Sequence, residues 1–186
     1  MDTAPIVPGR SCSGCTLCCK LLGIAELEKP RLKWCPNCAI GVGCKVYGNR
    51  PNECRTFYCL YLVEGSLGEH WKPAASKMVL SYEAHGDRID VRVDPGKPGA
   101  WRAEPYYSEI KRWAINVAQQ QGQVIVWQGA NAIAILPDRE TNLGPVRPDQ
   151  FIIYAQRRGA AGPETEAHVV DRDHPWAAKF VKPPSE

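Results

Sequence analysis

The sequence predicts an α+β protein in which an N-terminal, loop-rich cysteine module packs on a small antiparallel sheet with one main helix. Two observations lead to this prediction. All nine cysteines of the 186-residue chain lie before residue 60, and the cysteine-free remainder alternates strand-like and helix-like apolar patterns. We therefore divide the chain into a cysteine-cluster module, residues 1–72, and a small α+β domain, residues 73–186, with one composite domain as the alternative.

The first strand pair is predicted from strict alternation. Residues 78–83 precede a turn, and residues 88–94 then alternate charged and apolar side chains, so that Ile89, Val91 and Val93 share one face. The charged residues occupy the other face. This pattern predicts a hairpin with one side in the core and one side in water.

A helix is predicted over residues 104–121. Pro105 suits its first turn, apolar residues recur along one side at helical spacing, and Gly122 supplies a stop. The further predicted strands are residues 124–127, 133–136, 151–155 and 168–170. This order predicts an antiparallel sheet covered on one side by the helix.

Composition excludes several classes of protein. Hydrophobic residues make up 44% and charged residues 23% of the chain, values that argue against general disorder. No apolar run approaches the ~20 residues of a membrane helix, and residues 1–8 lack the pattern of a secretory signal. A net charge of +3 is too small to favour nucleic acid as a partner. We therefore expect a cytoplasmic protein without membrane contact.

The cysteines favour metal ligation over disulfides. An odd count without a secretory signal fits a disulfide framework poorly, and nine free thiols would be open to oxidation. Thiolates are strong ligands for zinc and for iron–sulfur clusters. The candidate metal ligands are Cys12, Cys15, Cys18, Cys19, Cys35, Cys38, Cys44, Cys54 and Cys59.

The cysteine spacing leaves the metal open between zinc and an iron–sulfur cluster. Two C-x2-C pairs, residues 12–15 and 35–38, are nineteen residues apart, as in zinc sites. The run of Cys12, Cys15 and Cys18 also has the spacing of an iron–sulfur loop. Because the side chains of Cys18 and Cys19 are expected to diverge, two sites or a polynuclear cluster are favoured over one mononuclear ion.

The second half of the module adds two more cysteines and several cations. Pro51 favours a helix start just before Cys54, and Cys54 and Cys59 can serve one metal only if that helix ends between them. Nearby positive charges that could balance thiolates are Lys20, Lys33, Lys45, Arg50 and Arg55. We expect at least one of the two arginines to donate a hydrogen bond to the site. The substitution Arg55→Lys tests this expectation.

Other candidate contributors to the site are weaker. Trp34, beside Cys35, is expected to shield the metal from solvent. His70 could complete a mixed site, although packing or exposure is the favoured interpretation for a histidine in that position.

These motifs together resemble a known family. The run Cys12-Ser-Gly-Cys-Thr-Leu-Cys-Cys-Lys20, followed by Cys44-Lys-Val-Tyr47 and by the motif of residues 50–59, resembles the bacterial YkgJ-like cysteine-cluster proteins. The resemblance covers roughly residues 10–62 and implies metal chelation, of zinc or iron, by these cysteines. It implies no particular reaction, although relatives with the same cluster include flagellin lysine methylases. This chain differs in carrying both Cys35 and Cys38.

The sequence therefore predicts a metal-binding protein with a structural site and a surface for an unknown protein partner, without catalytic residues. The alternative is an iron–sulfur redox protein or enzyme accessory. A zinc-ribbon nucleic-acid binder is disfavoured because the charge of the second segment is balanced.

Overall fold

The computed structural model describes residues 6–84, 87–159 and 162–180. It contains both helices and sheets, which confirms the α+β class. Within the described residues, no helix is both long and apolar enough to cross a bilayer.

The cysteine module is built from short elements. Glycine and proline punctuate its sequence, so that few segments run beyond one helical turn or two strand residues. In chain order the elements are α1 (Cys18–Leu21), β1 (Cys38–Ala39), β2 (Gly43–Cys44), α2 (Asn52–Thr56), α3 (Leu60–Val63) and α4 (Pro73–Ser76). β1 and β2 pair antiparallel, so Cys38 lies across from Cys44.

A five-stranded sheet forms the centre of the second segment. Its strands are β3 (Met78–Glu83), β4 (Arg88–Val93), β5 (Gln123–Gln128), β6 (Asn131–Ile135) and β7 (Glu140–Pro145), in that spatial order. The two predicted hairpins, β3–β4 and β5–β6, are confirmed. Gly129, with φ of +69°, makes the tight turn of the second hairpin.

The sheet is not wholly antiparallel, because β4 and β5 pair parallel. Their connection carries α5 (Tyr106–Ala118), and a crossover of that length returns the chain to the same direction. The helix buries Ile110 and Ala114 against the sheet. α5 is shorter than the predicted 104–121, because it ends at Ala118 and the chain then turns through Gln121, which has φ of +61°. Gly122 closes this turn, since its N–H donates to Val117 O at 2.8 Å and a Cβ there would lie 2.9 Å from the Val117 side chain.

The predicted wet face of β4 is buried instead. Val91 and Val93 enter the core as expected, but Asp90 on the opposite face is only 2% exposed. The Asp90 carboxylate accepts hydrogen bonds from Arg88 Nε at 2.8 Å and Arg92 Nη2 at 2.6 Å. The indole N–H of Trp127 adds a third, at 2.8 Å. These donors compensate the cost of removing a carboxylate from water.

A long two-stranded ribbon covers part of that opposite face. The strands β8 (Gln150–Gly159) and β9 (Gly162–Asp171) include the strands predicted at 151–155 and 168–170, but both are longer. Ile152 packs in a cluster with Ile125 and Trp127 of the sheet. Tyr154 Oη donates to Val124 O at 3.1 Å. The ribbon explains why the second face of the sheet is dry.

The cysteine module and the sheet share one apolar core. Leu17, Leu21 and Trp71 of the module belong to the same buried cluster as Leu80 and Val91 of the sheet. An ion pair reinforces this contact, because Lys20 Nζ lies 2.6 Å from Asp94 Oδ1 with both side chains largely buried. The position of α1, and with it Cys18 and Cys19, is therefore fixed by the sheet.

The ion pair between Arg102 and Glu140 yields a prediction about acid stability. Burial alone would raise the pKa of Glu140, but hydrogen bonds from Arg102 and Tyr107 outweigh burial and lower that pKa below 4.5. A lowered pKa in the folded state adds stability that is present above pH 4.5 and is lost as the pH falls through the folded-state pKa. We expect Glu140→Gln to reduce the free energy of unfolding at pH 7 and to have no effect at pH 2.

Urea unfolding at a series of pH values measures this effect. The control is Glu164→Gln, which changes an exposed glutamate on β9. A loss for Glu140→Gln that is equal at pH 7 and pH 2 would show that the ionised pair contributes nothing.

Candidate metal centre

Seven of the nine cysteines line one cavity in the N-terminal module, with a volume of about 450 Å³. These are Cys12, Cys15, Cys18, Cys19, Cys35, Cys44 and Cys54. The other two, Cys38 and Cys59, are buried at 9% exposure each. All nine are free thiols. The chain thus gathers into one place cysteines that span 48 positions of sequence.

Backbone hydrogen bonds shape both C-x2-C segments into tight turns. The N–H of Cys15 donates to Cys12 O, and the N–H of Cys38 donates to Cys35 O, each at 3.0 Å. A third bond, from Cys35 N–H to Cys19 O at 3.0 Å, holds the second turn against α1. Each turn presents two thiols to the same region, as the spacing predicted.

Thr16 ties the two turns together. Its side chain is buried at 5% exposure, and its hydroxyl accepts the N–H of Gly41 at 3.0 Å. The same hydroxyl bonds the thiol of Cys38, where burial raises the pKa to about 11 and this bond opposes the rise. Thr16, which directly follows Cys15, therefore supports the sulfur of Cys38 in the other turn.

The side chains of Cys18 and Cys19 line the same cavity but pack against different cores. Cys18 packs against the main apolar core, and Cys19 packs against the cluster of Ile24, Cys35 and Cys38. A hydrogen bond between the two thiols is the largest cause of the raised pKa of Cys19. The two neighbours therefore meet at the cavity, while each contacts its own core.

Burial and mutual repulsion hold several of these thiols in the protonated form. Desolvation is the largest cause of the raised pKa values of Cys12, Cys54 and Cys59, and for Cys59 the pKa reaches about 11. Neighbouring cysteines raise them further. A reactive nucleophile needs the opposite, a lowered pKa. A metal cation that binds here would displace these protons into solvent and stabilise the thiolates.

The helix predicted at Pro51 ends between Cys54 and Cys59. α2 stops at Thr56, and Cys59 precedes α3. The condition under which both could serve one metal is therefore met, but the two cysteines belong to different core clusters. Cys54 packs against the cluster of Ile24, Cys35 and Cys38, whereas Cys59 is buried in the main apolar core.

Lys29 is a buried cation beside the cluster that the sequence analysis missed. It is 6% exposed, and its ammonium donates to the carbonyls of Pro30, at 3.1 Å, and of Leu22. Burial lowers its pKa, while Cys35 and Cys19 act to raise it. No sequence motif marks this lysine. Its inward position goes with the backbone pairing of Lys29 and Ile24.

Of the two arginines proposed from sequence, Arg50 lines the cavity and Arg55 is exposed. The guanidinium of Arg50 stacks 3.9 Å from the ring centre of Tyr47, and its Nε donates to Tyr47 O at 3.1 Å. Its charge lowers the pKa of both Cys12 and Cys54 against the effect of burial. The test substitution therefore belongs at Arg50.

The remaining sequence candidates lie away from the cavity. Trp34 is 38% exposed and does not line it, so the expected shielding is not observed. Lys20 pairs with Asp94, and Lys33 and Lys45 are exposed. His70 Nε2 lies 3.1 Å from Glu109 Oε1, in agreement with the favoured packing role.

In the described residues, no three Cys, His, Asp or Glu side chains already surround a common point in a way suited to a metal ion. The donor chemistry nevertheless fits a thiophilic metal, because seven thiols face one cavity. Cysteine side chains reach a ligand geometry by rotation about a single χ1 angle. Comparison with family models, curated proteins and solved structures gave no match. The resemblance to YkgJ-like proteins therefore stays a prediction from the motifs.

Proposed function

We propose that this protein binds a thiophilic metal, as zinc or as an iron–sulfur cluster, through its N-terminal cysteines, and that the metal stabilises the module. The convergence of seven free cysteines on one cavity carries the proposal. Free thiols behave as small, weakly polar groups, so packing alone gives no reason to gather so many. Metal coordination gives such a reason, because several thiolates bind one metal.

A structural metal also accounts for the order of a segment with short elements. The longest helix of the module, α2, has five residues and each of its two strands has two. Isolated elements of this size are marginal in water. A structural zinc site contributes its binding free energy to folding, about 10 kcal/mol or more in zinc-finger peptides.

The second candidate function is that of an iron–sulfur redox protein or enzyme accessory. The charged and apolar residues around the cavity support this candidate. Thiolate clusters carry net negative charge, and nearby cations and hydrogen bonds set their reduction potentials. Lys29 and Arg50 supply two positive charges beside the thiols. Leu22, Ile24 and Phe57 give the cavity an apolar wall. The protein partner, and the disfavoured role with nucleic acid, stay predictions.

Anaerobic purification, followed by elemental analysis and an absorption spectrum, tests the proposal and separates its two forms. Colourless protein with stoichiometric zinc supports a structural zinc site. Brown protein with iron and acid-labile sulfide supports the iron–sulfur form. Protein that is isolated without metal, and that takes up neither zinc nor iron with sulfide, would overturn the proposed function.

Arg50 is expected to strengthen metal retention. A planar guanidinium can hold two acceptors at once, whereas a lysine ammonium acts as a point charge. Removing a hydrogen-bonding neighbour of a metal ligand commonly costs roughly 10- to 100-fold in affinity. We expect Arg50→Lys to release metal to a competing chelator at about tenfold lower chelator concentration, with the stoichiometry of the isolated protein unchanged.

Arg55→Lys is the matched control, because Arg55 is five positions away and exposed. Its retention curve should overlay that of the wild-type protein. Overlapping curves for the two variants would mean that Arg50 serves only to stack on Tyr47.

A further inference from the structure

We propose that the cysteines hold two separate metal centres, divided between Cys18 and Cys19. This inference rests on the proposed metal-binding function and specifies the number of centres. The first set of ligands is Cys12, Cys15, Cys18 and Cys59. The second set is four of the five residues Cys19, Cys35, Cys38, Cys44 and Cys54.

The first set lies on the side of the cavity that faces the sheet. Cys59 is buried in the main apolar core, and Cys12 and Cys18 pack against that same core. Cys15 joins this set through the tight turn of residues 12–15, in which its N–H donates to Cys12 O at 3.0 Å. Four thiols are therefore available here, which is the number that a tetrahedral zinc ion or a four-iron cluster requires.

The second set lies on the other side, in its own small core. Ile24 forms a buried cluster with Cys35 and Cys38, and Cys19 and Cys54 pack against this cluster. Strand pairing adds Cys44, which lies directly across from Cys38. None of these five belongs to the main core cluster that contains Cys59.

The number of thiols also exceeds what one mononuclear ion binds. A tetrahedral ion takes four ligands, so a single ion would leave five of nine buried or half-buried thiols without a metal. Two centres use eight thiols. The ninth must come from the second set, because that set has five members and the first has four.

The two cations lie beside these thiols. Lys29 is next to the second set, because its backbone pairs with that of Ile24, which packs with Cys35 and Cys38. Arg50 lines the cavity to which both Cys12 of the first set and Cys54 of the second belong.

Native mass spectrometry of zinc-loaded full-length protein, and of protein reconstituted anaerobically with iron and sulfide, gives the number of centres. We expect two in the wild-type protein. Cys59→Ser, which leaves three thiols in the first set, and Cys35→Ser/Cys38→Ser, which leaves three in the second, should each retain one. The double variant Cys12→Ser/Cys59→Ser should still retain one, because both changes fall in the first set, whereas the triple variant Cys35→Ser/Cys38→Ser/Cys59→Ser should retain none.

Partial loading of the wild-type protein gives a second readout that needs no substitution. With one equivalent of zinc, cysteines protected from alkylation should group within one set, as mapped by peptide mass spectrometry. Protection spread evenly over both sets, or loss of all metal in Cys59→Ser and in Cys35→Ser/Cys38→Ser alike, would overturn the division. Either result would leave metal binding intact, whereas failure of the wild-type protein to bind any metal would overturn the proposed function itself.

Discussion

Removal of the metal is expected to open residues 10–62 to proteases while residues 76–157 are cut far more slowly. The described part of the first segment has only short helices and strands, and under the proposed function it depends on metal coordination for its order. The second contains the sheet, α5 and most of the buried aliphatic residues. Limited proteolysis of the full chain with and without a chelator, read by mass spectrometry, measures the difference.

The shared core sets a limit to the independence of the two segments. Leu17, Leu21 and Trp71 cover the sheet near Leu80, so their loss exposes apolar surface and should lower the stability of the sheet without unfolding it. The Cys35→Ser/Cys38→Ser/Cys59→Ser variant, treated with chelator in parallel, should match the stripped wild-type protein. Digestion of both segments at one rate would show that the chain unfolds as a single unit when metal is lost.

Asp90→Ala is expected to destabilise the protein by about 3–5 kcal/mol, since breaking a buried ion pair by removing one partner leaves uncompensated charge. The guanidinium groups of Arg88 and Arg92 would lose their shared carboxylate, and the N–H of Trp127 its acceptor. Both arginine side chains are 19% exposed, so water replaces the carboxylate only in part. Urea unfolding of the wild type and the variant measures the loss.

Asp149→Ala is the control for the same pair of residue types at the surface. Asp149 is 63% exposed and pairs with Arg147, which is 60% exposed, and solvent screening leaves such pairs with little effect on stability. A loss at Asp90 no larger than the loss at Asp149 would show that the buried network is dispensable. Metal content should be unchanged in both variants, because Asp90 is not among the residues that line the cavity.

Local patterns in the sequence determined the class of the fold and the region of the site. Alternation predicted β3 and β4, helical spacing predicted α5, and Gly122 predicted its end, because each depends on residues close together in the chain. The cysteine spacing likewise predicted the two tight turns. β7 was missed, because its residues (Glu-Thr-Asn-Leu-Gly-Pro) show no apolar alternation and it forms by pairing with β6.

Only the tertiary structure decided which residues meet across the chain. The parallel pairing of β4 with β5 and the burial of Asp90 beside Trp127 depend on contacts between residues far apart in the sequence, which local periodicity does not encode. The different neighbours of Cys54 and Cys59 have the same origin. The inward turn of Lys29 is local, because its backbone pairs with Ile24, but no periodic pattern marks it. The sequence places all nine cysteines in one module. Folding against the sheet decides on which side of the cavity each one lies, because burial and contact are properties of the whole chain.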